Sequence, residues 1–164
     1  MSDNYRHRWG ETNCIQMLVD TAQVIEIGDL VWCNTDDARP ASALSFAGGL
    51  ATSQERLVDD FLGVAMQRSR SGDTAAIRIA TSGVFEFVTV SDTYELGDLV
   101  GAAEGTSLLE DQKVASLGDG HKDVNVERAI GRCAKTVATA ATLVLVSIKS
   151  TVMTGGFQLG TASA

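Results

Sequence analysis

"EIGDLVW" (Glu26–Trp32) and "ELGDLVG" (Glu95–Gly101) are almost the same seven letters, written twice in a chain of 164 residues. The echo continues downstream. "FLGVA" (Phe61–Ala65) follows the first copy and "AIGRC" (Ala129–Cys133) follows the second. Gly28 to Gly97 is a step of 69 residues and Gly63 to Gly131 a step of 68. Eleven residues after each of the later glycines an apolar run begins, "TAAIRIA" from Thr74 and "TLVLVSI" from Thr142. The chain therefore repeats one order: a Gly-Asp turn launching a strand, a long excursion, a second glycine-bearing strand, a turn and a third strand. Two copies are too few for a solenoid. They suit two pseudo-equivalent halves closing over one core, as a barrel or a pair of packed sheets.

Alternation supports β structure. Ile77, Arg78 and Ile79 alternate, as do Phe85, Glu86 and Phe87, and then Val88, Thr89 and Val90. Period-2 patterning sends one set to the core and the other to water. Thr81-Ser82-Gly83 reads as a hairpin turn between these runs, with Gly83 supplying a positive φ. Leu143 to Val146 is apolar on both faces, which predicts a central strand or one covered by a partner. One short helix is expected over "QERLVDDFL", capped by Ser53, with Leu57, Val58, Phe61 and Leu62 on one face. The expected architecture is mainly β: a compact barrel- or sandwich-like domain over residues 21–150, with pseudo-repeats at about 24–90 and 93–150. An extended N-terminal arm (1–20) precedes it and a C-terminal tail (151–164) follows.

Composition narrows the function classes. Apolar residues make up 45% of the chain, enough for a real core. With 21 acidic and 13 basic residues the net charge is −8. The basic stripe of a nucleic-acid binder is missing, and an acidic surface favours solubility and basic partners. No apolar stretch approaches the ~18 residues of a membrane span. The start, "MSDNYRHRWGETNC", has no apolar signal region, so a soluble protein made in a cytosol is expected. The three cysteines, Cys14, Cys33 and Cys133, are odd in number and form no CxxC pair. They read as buried or half-buried thiols in a reducing compartment, not as a disulfide framework or a zinc site.

No catalytic or cofactor motif is legible. His7 and His121 have no metal-ligand spacing. Asp36-Asp37 and Asp59-Asp60 read as solvated turn residues, and an enzyme would need Asp36 or Asp59 to converge with His121 in a pocket. "DGHKD" lacks the calcium-loop pattern, and "SFAGGLATS" lacks a phosphate-cradle signature. The basic and aromatic cluster "YRHRW" reads as an arm that docks on an acidic protein neighbour, since Arg, Trp and Tyr are favoured interface anchors. Tyr5, Arg6, Arg8 and Trp9, with Phe157 and Leu159 in the tail, are the candidate contacts to a neighbouring subunit. No catalytic, cofactor or metal residue is assigned.

The run "FLGVAMQRSRSGDTAAIRIATSGVFEF" (Phe61–Phe87) resembles the signature of phage capsid cement, or head decoration, proteins. The matching segments are Leu62-Gly63-Val64-Ala65, Ser71-Gly72-Asp73 and Gly83-Val84-Phe85-Glu86-Phe87. "YELGDLVG" (Tyr94–Gly101) and "AIGRCAKTVATAATLVLVSI" (Ala129–Ile148) continue the likeness, which spans roughly Val24 to Ile148. The resemblance implies a β-rich structural protein of the virion on the outer face of the head. It would bind the major capsid protein, stabilise contacts between capsid subunits and associate with itself, as a trimer in preference to a dimer. No enzyme activity, cofactor, nucleic acid or membrane enters this reading. The alternative from the same features is another virion β-protein: a tail-tube, connector or fibre-associated subunit.

Overall fold

The computed structural model describes Asp3, residues 7–118 and residues 125–155. Its strands are β1 (His7–Trp9), β2 (Cys14–Met17), β3 (Leu30–Asn34), β4 (Asp37–Pro40), β5 (Phe61–Ala65), β6 (Ile77–Ala80), β7 (Ser82–Tyr94), β8 (Leu99–Glu104), β9 (Leu109–Gly118), β10 (Gly131–Cys133) and β11 (Val137–Lys149). Helix α1 (Leu50–Asp59) lies between β4 and β5, and α2 (Thr151–Thr154) follows β11. One sheet runs β2-β6-β5-β3-β4, the other β1-β7-β11-β10-β8-β9. Both curl until their ends meet. A parallel pairing of Val88 with Lys113 and Thr89 with Val114 closes the second sheet, β7 to β9. A single parallel bridge, Val19 with Ala38, closes the first, where the Ala38 N–H donates to Leu18 O at 2.7 Å.

The two rings are the same structure twice. With β1 set aside, β2, β3, β4, β5 and β6 occupy the places of β7, β8, β9, β10 and β11. The register agrees residue by residue. Leu30 faces Val64 and Val31 faces Gly63; Leu99 faces Arg132 and Val100 faces Gly131. The repeated heptads fold into one turn. The Glu26 N–H donates to Asp29 Oδ2 at 2.9 Å and the Glu95 N–H to Asp98 Oδ2 at 2.8 Å. Gly28 (φ +98°) donates to Ala65 O and Gly97 (φ +91°) to Cys133 O, each at 2.9 Å. An aspartate beside a glycine makes this turn because the carboxylate holds the backbone while the glycine takes the left-handed conformation.

The later glycines recur for a different reason. A Cβ on Gly63 would sit 1.9 Å from Ala80 O, and one on Gly131 would sit 2.2 Å from Ser147 O. Neighbouring strands pass too close there for any side chain. The ring interiors also correspond. Val31 and Val100, Leu62 and Ile130, Ala65 and Cys133, and Ile79 and Val146 hold equivalent places, and all are buried. A larger core joins the halves, packing Leu57, Val58 and Phe61 against Phe85, Phe87 and Ile130. Polar bonds stitch the same seam: Gln112 Nε2 donates to Asp29 Oδ1 at 2.7 Å, and Gln54 Nε2 to Ala102 O at 2.7 Å.

The structure corrects several expectations. Thr81-Ser82-Gly83 is no hairpin: β6 and β7 belong to different sheets, and the chain crosses from one ring to the other here. Thr81 and Ser82 both donate to Thr12 O, and Thr81 O accepts from Ser150 N, so these groups are satisfied without a turn. β7 therefore opens the second repeat, where the sequence reading closed the first with it. β1 and β2 lie within the stretch read as an arm, yet both pair into sheets. The helix starts earlier, after Gly49, with the Ser53 hydroxyl donating to Gly49 O from inside it. It ends at Asp59, so Phe61 and Leu62 are buried from β5. The first part of the expected tail is α2, where Ser150 caps the helix by accepting from the Met153 N–H.

Candidate functional site

β7 and β11 are 13-residue strands, while their counterparts β2 and β6 have four residues each. They pair over most of their length, with Glu86 opposite Leu145 and Val88 opposite Leu143, and bulges flank Ala141. Phe85, Phe87 and Thr89 point into the ring and are buried. Glu86, Val88 and Val90 point out. The two apolar alternations, Phe85/Phe87 and Val88/Val90, would both face inward only if the phase slipped between Phe87 and Val88. No slip occurs. Thr89 is the inward residue, its hydroxyl bonded to that of Tyr94, and Val90 is left 57% exposed.

β11 supplies the other side of this face. Leu143 is 40% exposed and Leu145 half-buried, while Val144 and Val146 fill the ring. The strand is central, between β7 and β10, yet its outer face is open. A shallow groove of about 280 Å³ runs over it, bounded by Glu86, Lys135, Val137, Ala141, Leu143 and Leu145. This apolar outer face is the candidate interaction surface. The sequence reading marked the doubly apolar run Leu143–Val146 as central or covered by a partner, and it did not place Val88 and Val90 on the same outer face, for which the conflict of phase after Phe87 was the signal.

The predicted contact residues divide. Arg8 and Trp9 lie on β1, which pairs with the edge of β7. Arg8 forms an ion pair with Glu86 at 3.0 Å, which brings it to one border of the apolar face. Trp9 is 49% exposed. His7 packs edge-on against Phe85, with ring centres 5.3 Å apart. Tyr5, Arg6, Phe157 and Leu159 lie outside the described residues, as does His121.

Titratable groups fall into two settings. Around the first turn, Asp29 is 2% exposed. Burial raises its carboxyl to about 6, although the Glu26 N–H and the Gln112 amide hold the charged form. Asp111 is raised by burial too, and accepts from the Ser42 N–H at 2.7 Å and its hydroxyl at 2.9 Å. These carboxylates bind the two halves together, Asp29 through Gln112 and Asp111 through Ser42. Elsewhere, burial raises the Cys33 thiol, and the carboxylates of Asp60, Asp36 and Asp37 add to the effect. A thiol among carboxylates is a poor nucleophile. Among the described residues no group of three or more His, Cys, Asp or Glu side chains is placed to hold a metal ion, and no helix is long and apolar enough to cross a membrane. All three cysteines are free, with Cys133 buried.

No family model matches the sequence, and no curated protein matches it. Among solved structures, the chain is similar to the N base of the head fibre gp8.5 of bacteriophage phi29. That likeness has a TM-score of 0.46 at 12% identity and covers 84% of this chain and 95% of that one.

Proposed function

We propose that this chain is a structural protein of a phage virion, a capsid cement protein that binds the outer surface of the head and ties neighbouring major capsid subunits together. The observation that carries the reading is the sequence likeness over Phe61–Phe87 and its continuation to Ile148. The structure gives that likeness a physical basis. Its glycines are constrained positions: Gly63 is the close strand approach, and Gly83 (φ +120°) is the crossing between the rings. On this reading the protein acts by burying surface. Each copy closes a joint of modest area, and many copies on one lattice add their contributions against internal pressure. Trp9, exposed beside the Arg8–Glu86 pair, is an anchor of the type interfaces favour. With Tyr5, Arg6, Arg8, Phe157 and Leu159 it forms the proposed contact set.

The test is to add the purified protein to heads that lack it and image them by cryo-electron microscopy, with survival on heating as a second readout. Ordered density over the outer lattice and heads that survive hotter are expected. Density at the tail or a vertex instead would replace the cement reading with that of a fibre- or connector-associated subunit. No binding would overturn both.

A further inference from the structure

We infer that the outer face of β7 and β11 is where a second copy of this chain docks. The duplication supplies an internal control. The aligned registers place Gln16, Leu18 and Asp20 of the first half where Glu86, Val88 and Val90 stand in the second. By the same registers Arg78 and Ala76 stand where Leu145 and Leu143 do. One fold thus carries the same outward positions twice. In the first half they are mainly polar, and Asp20 makes an ion pair with Arg39 at 2.7 Å. In the second half they are mainly apolar. The fold does not need a continuous apolar face there, since the first half forms with Gln16, Asp20 and Arg78 among these positions. A contiguous apolar face is the ordinary mark of a docking surface.

Charge selects the occupant. The chain carries −8 overall, so two copies repel wherever their carboxylates meet. Among the described residues this face carries Glu86, paired with Arg8, and the exposed Asp92 opposite Ala141, and Lys113 stands opposite Val88 on β9. Lys135 borders the groove. Arg8, Lys113 and Lys135 outnumber the two carboxylates Glu86 and Asp92 here, which suits an acidic partner better than a basic one. It is a place where two acidic copies can approach each other and bury leucine and valine on both sides.

The inference rests on the self-association that the cement reading implies, and it can fail separately from binding to the head, because association is measured without heads. Sedimentation equilibrium of the purified chain at micromolar concentrations is expected to give a mass above the monomer. Leu143→Asp should weaken association at least tenfold, and Leu18→Asp, at the equivalent face of the first half, should leave it unchanged. Mixing Leu143→Asp with Leu143→Lys should restore association that neither shows alone, an outcome a merely unfolded variant does not give. A monomeric wild-type chain overturns the inference. So does an oligomer that Leu143→Asp leaves intact, or a mixture that stays monomeric.

Discussion

The two halves of this molecule are the same ring of five strands, and they differ in what they show to the outside. In the first half β2 and β6 are short, the outward residues are mainly polar, and Arg39 holds Asp20. The turn of this half is covered. Asp3 accepts from the Ile27 N–H at 2.8 Å and pairs with Arg68, which also reaches Glu26 at 2.8 Å. In the second half β7 and β11 run on as a long ribbon with an apolar outer face, and the equivalent turn leaves Leu96 61% exposed. Interior residues, turn bonds and register are shared, so folding accounts for those. What the halves do not share is free to serve another purpose, and the comparison isolates the apolar outer face of the ribbon as that part.

The largest effects should fall on what the halves have in common. Gly63→Ala and Gly131→Ala each drive a methyl into a neighbouring carbonyl, and each should cost more than about 3 kcal/mol or prevent folding. Gly97→Ala meets no neighbour, and its positive φ alone should cost about 1–2 kcal/mol. Denaturant melts of the three variants check this. If Gly131→Ala were tolerated while Gly63→Ala was not, the equivalence of the halves would break.

Next in size is a pH effect centred on the buried turn of the first half. Burial raises Asp29 from 3.8 to about 6 in the folded chain, so the fold holds that proton more tightly than the unfolded chain does. The stability this lends is fully present below pH 3.8 and is lost as pH rises through 6. The loss is about 3 kcal/mol for this group, and Asp111 adds to it with the same sign. Urea melts between pH 4 and pH 7 should therefore lose part of this slope in Asp29→Asn. A slope left unchanged in that variant would contradict the assignment.

Smallest are the outward positions, where the chain's own stability should hardly respond. Val90→Thr should shift the unfolding free energy of the monomer by no more than about 0.5 kcal/mol. Asp20→Ala should cost about 0.2–1 kcal/mol through the Arg39 pair. A loss of several kcal/mol at Val90 would mean that the ribbon's apolar face serves folding, and the contrast between the halves would lose its meaning.

The repeat was legible because it is local. Glu-x-Gly-Asp holds its own turn, and the steps of 69 and 68 residues pointed to two equivalent halves, which the matching pairs Val31 with Gly63 and Val100 with Gly131 show. The ring closures were not legible. A parallel pair such as Val19 with Ala38 joins distant segments and leaves no periodicity in either. Gly83 misled because a glycine after Thr-Ser signals a turn, while here it eases a strand across from one sheet to the other. The outward set Val88 and Val90 was hidden by the rule that apolar residues face inward, which fails where a second surface is to be buried. Of the proposed contact residues, Arg8 and Trp9 fall on β1 at the border of that face, next to Glu86.

The central claim is that the second half, and not the first, carries the contact face. Hydroxyl-radical footprinting of the chain, dilute and then concentrated, tests it most directly, because Leu18 and Leu143 are both exposed leucines on matching faces. Oxidation of Leu143 should fall on concentration while that of Leu18 stays level. Equal protection of the two, or protection of Leu18 alone, would contradict the account.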